Sequence, residues 1–210
     1  MSTISKTAHA ESNLAPLERV RSANLGAFFR PTQVEEAGLS YYDLRQLVAA
    51  GQVEQVARGL YRLAEAEPTE HYSLAAVCAR VPRAIVCLLS ALRVHGIGTQ
   101  MSREVWLAIP HGDRTPREPG VRMRVVRFSG AALTYGVVKT AFEGVPARIT
   151  SPPRTVVDCF RFERLIGAEA AREALREGMR RKLVTVDGLF RTLEVFPSRR
   201  LRHLLEATAM

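Results

Sequence analysis

Between Ser40 and Arg58 the chain sets out side chains suited to reading a nucleic acid. Ser40, Tyr41, Tyr42, Arg45 and Gln46 fall within one short segment, and Arg58 follows beside a glycine. Arginine grips a guanine edge or a phosphate with two parallel hydrogen bonds, and glutamine does the same for an adenine edge. Serine and tyrosine hydroxyls bond to phosphate oxygens, which fixes position rather than sequence. Helical spacing puts Tyr42, Arg45, Gln46 and Ala49 on one stripe. Leu44, Leu47 and Val48, at i, i+3 and i+4, form the opposite apolar stripe, with Tyr41 leaning towards it. Gln33, beside Thr32 at the start of an earlier helix, is placed to add a phosphate contact.

Signatures of bond-making chemistry are missing from the sequence. It contains no Gly-x-x-x-x-Gly-Lys-Ser/Thr loop, no G-x-G-x-x-G, no G-x-S-x-G and no H-E-x-x-H. His95, His111 and His203 lie far apart with no adjacent nucleophile, and His95 before Gly96 reads as a helix-end histidine favoured by the dipole. Asp158 could serve a metal-dependent nuclease, but Arg154 stands one helical turn back and favours a structural ion pair. Cys78, Cys87 and Cys159 are odd in number, widely spaced and set among apolar neighbours, which fits buried, reduced thiols. No catalytic residue, metal or cofactor is therefore expected.

The elements that must position these side chains follow from periodicity and punctuation. Apolar residues from Leu14 to Phe29 recur at helical spacing and predict a first helix, which Gly26 could end early. Thr32 and Glu35 form a capping box for a second helix that Gly38 stops. Ser40 and Asp43 cap a third, running to Ala50 and closed by Gly51. Gln52 to Leu63 is rich in β-branched and aromatic residues around Arg58-Gly59, which predicts a two-stranded wing. Three helices and a hairpin in this order make a winged helix-turn-helix over residues 14–64, after a polar tail at 1–13.

A linker at 65–70 then leads to a second domain over 71–210. Helices are predicted at His71–Arg80 and Arg83–His95, and a buried strand at Val105–Ile109. An exposed loop at Arg114–Gly120 precedes a strand at Val121–Phe128 with one basic face. Gly136–Phe142 and Val145–Thr150 form a hairpin turned by Glu143-Gly144. Ser151 caps the next helix with Pro152 at its first position, and the rest is helical: Thr155–Phe162, Ala168–Lys182, Val186–Phe196 and Arg199–Ala209. The fold class is α+β: a winged helix followed by a small sheet flanked by helices.

Composition agrees with two globular domains. The 210 residues are 47% hydrophobic and 24% charged, which supports a packed core and argues against wholesale disorder. Net charge is +9, with 27 arginines and three lysines, a balance that suits a nucleic-acid partner. Its distribution is uneven: residues 14–64 hold six basic and five acidic side chains, residues 103–182 sixteen and nine. A basic face is thus expected on the second domain. No apolar run is long enough to cross a bilayer, and the N-terminus lacks a hydrophobic leader, so a cytoplasmic location with no membrane partner is expected.

Over most of its length, and most recognisably in three segments, the chain resembles the AbiEi family of antitoxins from type IV (abortive infection) toxin–antitoxin systems. They are Gly38-Leu-Ser-Tyr-Tyr-Asp-Leu-Arg-Gln-Leu-Val-Ala-Ala-Gly51, the wing Val56-Ala-Arg-Gly-Leu-Tyr61, and Ile149-Thr-Ser-Pro-Pro-Arg-Thr-Val-Val-Asp158. The resemblance implies a non-enzymatic repressor whose winged helix autoregulates its operon through inverted repeats in double-stranded DNA. It also implies that the C-terminal domain counters a nucleotidyltransferase-like toxin without a stable complex. Ser40, Tyr41, Tyr42, Arg45 and Arg58 match the family's DNA-facing helix and wing. Tyrosine at 41 and 42, where basic or small polar residues are expected, bears on operator sequence rather than on the mode of binding. Two other readings fit the residues: a stand-alone winged-helix transcription factor whose second domain senses a ligand or partner, and a DNA-targeted nuclease.

Overall fold

The computed structural model describes residues 15–23, 25, 28–66, 71–99, 102–116 and 121–208. The N-terminal tail, Gly26, most of the linker and the end of the proline-rich loop lie outside the described residues. The chain divides into two compact units: Met1–Arg80 with Ala141–Val145, and Val81–Thr140 with Pro146–Met210.

The first unit runs α1 (Pro16–Ser22), α2 (Pro31–Glu36), α3 (Tyr41–Ala49), β1 (Val53–Ala57), β2 (Leu60–Leu63) and α4 (Tyr72–Arg80). Its core gathers Val20, Phe29, Val34, Leu39, Leu44, Leu47, Val53 and Tyr61. The first helix is shorter than the apolar spacing predicts, ending at Ser22. Phe29 instead joins Tyr61 of β2 in an antiparallel bridge with two backbone hydrogen bonds of 2.9 Å, and the two rings stack at 6.3 Å. Cross-strand pairing with a partner 32 positions away thus overrides the local helical period.

Helix α2 also starts earlier than a Thr32 cap implies. Pro31 takes its first position, and the Arg30 N–H donates to Gln33 Oε1 at 2.9 Å, so Gln33 rather than Glu35 reaches back. Helix α4, expected to open the second domain, falls in the first unit: Tyr72 stacks on Phe28 at 5.4 Å and Arg80 Nη2 donates to the Val56 carbonyl at 3.1 Å.

The second unit is built on a five-stranded sheet of order β5-β4-β3-β7-β6. These strands are β3 (Ile85–Val86), β4 (Val105–Pro110), β5 (Met123–Phe128), β6 (Val137–Phe142) and β7 (Val145–Thr150). β3 runs antiparallel to β4 and parallel to β7, and β4 runs parallel to β5. Helices α5 (Leu88–Val94), α6 (Pro152–Arg161), α7 (Glu163–Ile166), α8 (Ala168–Arg180), α9 (Val186–Val195) and α10 (Arg199–Thr208) accompany the sheet. The hairpin turn falls at Glu143-Gly144 as predicted, both with positive φ.

The predicted helix Arg83–His95 is split. Ile85 and Val86, fully buried, form the central strand, and helix begins only at Leu88, whose φ is +49°. A two-residue strand enclosed by neighbours on both sides leaves no alternation to detect. Its main core joins Leu92, Trp106, Phe128, Val157, Leu189 and Leu201.

Candidate nucleic-acid interface

The turn that sets α3 at an angle to α2 is fixed from three sides. Gly38 adopts φ +79°, and a Cβ there would strike the Arg19 guanidinium. That guanidinium donates from Nη2 to the carbonyls of Ala37 at 3.1 Å and Gly38 at 2.6 Å. Leu39, 3% exposed, plugs the turn into the core. Arg19 is a residue that sequence reasoning missed, because nothing local marks a guanidinium destined for carbonyls 18 and 19 positions away.

At the head of α3 the expected capping box is present. Ser40 Oγ accepts from the Asp43 N–H at 3.1 Å, while its own N–H and hydroxyl donate to Asp43 Oδ2 at 2.8 and 2.7 Å. These bonds hold the Asp43 carboxyl below its ordinary range, with help from Arg19. Ser40 keeps an acceptor lone pair towards solvent.

The two faces of α3 separate as the spacing predicts. Leu44 and Leu47 are buried and Val48 partly so. Tyr42 is 69% exposed, and Arg45, Gln46 and Ala49 are exposed beside it. Tyr41, 53% exposed, has its phenol against that of Tyr61. Burial raises the Tyr61 pKa first and the Tyr41 phenol adds to it, while Arg45 opposes, so α3 and β2 meet where the helix and wing converge.

The wing has the expected form. β1 and β2 pair antiparallel with Ala57 opposite Leu60, leaving Arg58-Gly59 as the tip. Gly59 takes φ +68° with open space around its Cβ position, so the requirement for glycine is conformational rather than steric. Arg58 is exposed there.

Among the described residues, the side chains of Tyr42, Arg45, Gln46 and Arg58 make no hydrogen bond or ion pair within the chain. Arg21 is committed to Glu65 at 2.5 Å, and Arg62 to Glu54 and to the carbonyls of Leu63 and Ala66. The module therefore spends Arg19, Arg21 and Arg62 on its own framework, and among the described residues leaves Arg45 on α3, Arg58 on the wing and Arg30 at the head of α2 without a side-chain partner. Gln33 is half-buried and its carbonyl oxygen serves the Arg30 N–H, which leaves its NH2 as the donor for a ligand.

Groups considered for other chemistry sit in the second unit. Arg154 and Asp158 are fully buried and paired at 2.7 Å, and Arg161 Nη1 donates to the second Asp158 oxygen at 3.0 Å. Arg154 also donates to the Tyr135 carbonyl at 2.8 Å, and its guanidinium lies 3.7 Å from the Phe196 ring centroid. Thr155 Oγ1 bonds the carbonyls of Thr150 and Ser151 at 3.0 and 2.9 Å, so the Ser-Pro-Pro-Arg-Thr phrase stitches β7 to α6.

His95 stands at the end of α5 as its C-cap, as the helix-end reading expects, but burial opposes the charge that the dipole would favour. Burial lowers its pKa, and its Nε2 lies 2.7 Å from the Thr150 carbonyl, so the ring is held neutral as a donor. The three thiols are buried and unpaired, and burial pushes the Cys78 pKa up to about 12. Among the described residues no group of three His, Cys, Asp or Glu side chains is placed to hold a metal, and no helix is long and apolar enough to cross a membrane.

Helix, helix, glycine-bearing turn, helix and a two-stranded hairpin on one core define a winged helix-turn-helix. Residues 20–64 match the family model described as a transcriptional regulator, AbiEi antitoxin. No curated protein matches the chain. The crystal structure of the RV2827C protein from Mycobacterium tuberculosis is similar in fold, with a TM-score of 0.53 at 18% identity, covering 86% of this chain and 72% of that one.

Proposed function

We propose that this protein is a DNA-binding repressor and antitoxin that regulates its own operon through inverted repeats and counters a nucleotidyltransferase-like toxin. The observation that carries this reading is the exposed set Tyr42, Arg45, Gln46 and Arg58, without partners in the chain, inside the segment that matches the regulator family. In this reading α3 enters the major groove and the wing crosses the adjacent backbone. Arg45 and Gln46 contact base edges, while Ser40, Tyr41, Tyr42 and Arg58 hold phosphates or bases, with Gln33 in support.

The test is retardation of DNA from upstream of the gene. Arg45→Ala is expected to cost about 1–3 kcal/mol and to relax discrimination at one base pair. Arg58→Ala is expected to weaken all sequences alike and reduce the salt slope by about one. The double variant should abolish specific retardation while its circular dichroism stays native. Unchanged binding by that variant would remove this face from the proposal. Growth rescue from a co-expressed neighbouring nucleotidyltransferase tests the antitoxin role independently.

A further inference from the structure

Helices α8, α9 and α10 enclose a groove of about 470 Å³, within the size range of small-molecule sites. Its floor is apolar: Leu175 and Met179 from α8, Val186 from α9, and Leu204 and Leu205 from α10. Val186 and Leu204 are 39% and 37% exposed, more than such side chains need be in a finished core. One wall carries Arg172 and Arg176, one turn apart on the stripe that supplies Leu175 and Met179. Arg172 is paired with Glu169 at 2.8 Å. Arg176 makes no ion pair within 4.0 Å among the described residues.

We infer that this groove binds an amphipathic monocarboxylate, its apolar body on Leu175, Met179, Val186 and Leu204 and its carboxylate on Arg176. An apolar floor beside a guanidinium outside any ion pair complements that class at both ends, since the guanidinium fork matches a carboxylate bidentately. The stripe from Arg172 to Met179 spans about 10 Å of helix, the reach of a medium-length acyl chain or a fused-ring acid. A second copy of this chain would bring the same two arginines rather than a complementary charge. No other feature of the groove calls for a base or a metal.

Calorimetric titration of the full chain with decanoate, kept below its micellar concentration, tests the assignment, with 1-decanol as the uncharged control. Saturable one-to-one binding of decanoate is expected, weaker by at least tenfold for decanol. Arg176→Gln, an exposed substitution, should lower decanoate affinity tenfold to a hundredfold and leave decanol unchanged. Leu204→Gln should weaken both. No saturable binding, or equal affinity of wild type and Arg176→Gln for decanoate, would overturn the inference. So would binding of a synthetic acidic amphipathic helix but not decanoate, or self-association lost in Leu204→Gln. All these readouts omit DNA, so they fail or succeed separately from the regulator reading.

Discussion

At the scale of single residues, Ser40 and Asp43 tie the start of α3 together with three hydrogen bonds while leaving the helix face open. Ser40→Ala is expected to lower stability by about 0.5–2 kcal/mol in a urea titration. The Asp43 carboxyl sits below its ordinary pKa, so its contribution is present at neutral pH. It is lost as the pH falls below about 4, through the folded-state value. The melting temperature of the wild type should therefore drop more steeply over that acid range than that of Asp43→Asn. Cys78, Cys87 and Cys159 are buried thiols whose pKa values burial raises, so a thiol-specific reagent should label none of them until the chain is unfolded. Labelling in native buffer would contradict the placement of those side chains.

At the scale of elements, the angle between α2 and α3 depends on Arg19, and the wing tip on Gly59. Replacing Arg19 with Ala removes two charged hydrogen bonds to the turn and should cost about 1–3 kcal/mol, measured by thermal or urea unfolding. DNA affinity should fall with it, because the turn aims α3. Gly59→Ala meets no neighbour but must hold a left-handed backbone, an expected cost of about 1–2 kcal/mol. Leu44, fully buried beneath the exposed stripe, should cost about 2–5 kcal/mol as Ala. The helix period showed this stripe in the sequence because both faces of α3 lie within nine residues. It failed for Phe29 and for β3, whose partners lie far along the chain.

For the whole molecule, net charge turns out to be a poor map of surface charge. In the second unit Arg124 pairs with Glu104, Arg180 with Glu177, Arg191 with Asp187 and Arg200 with Glu163, while Arg127 and Arg148 donate to backbone carbonyls. Much of the expected basic face is thus structural cement. The buried Arg154–Asp158–Arg161 group is the extreme case, and Asp158→Ala should destabilise the protein by about 3–5 kcal/mol by stranding Arg154 without its counter-ion. Differential scanning calorimetry would read that loss directly.

The sequence by itself determined the winged helix and its outward stripe. Capping boxes, turn glycines and the helical period act over three to nine residues, and Tyr42, Arg45, Gln46 and Arg58 follow from them. Only the tertiary structure decided which arginines are free. The partners of Arg19, Arg62 and Arg148 are carbonyls and carboxylates that no local pattern announces. It also decided that Arg176 faces an apolar groove made by three helices, because a concave surface exists only once distant segments pack.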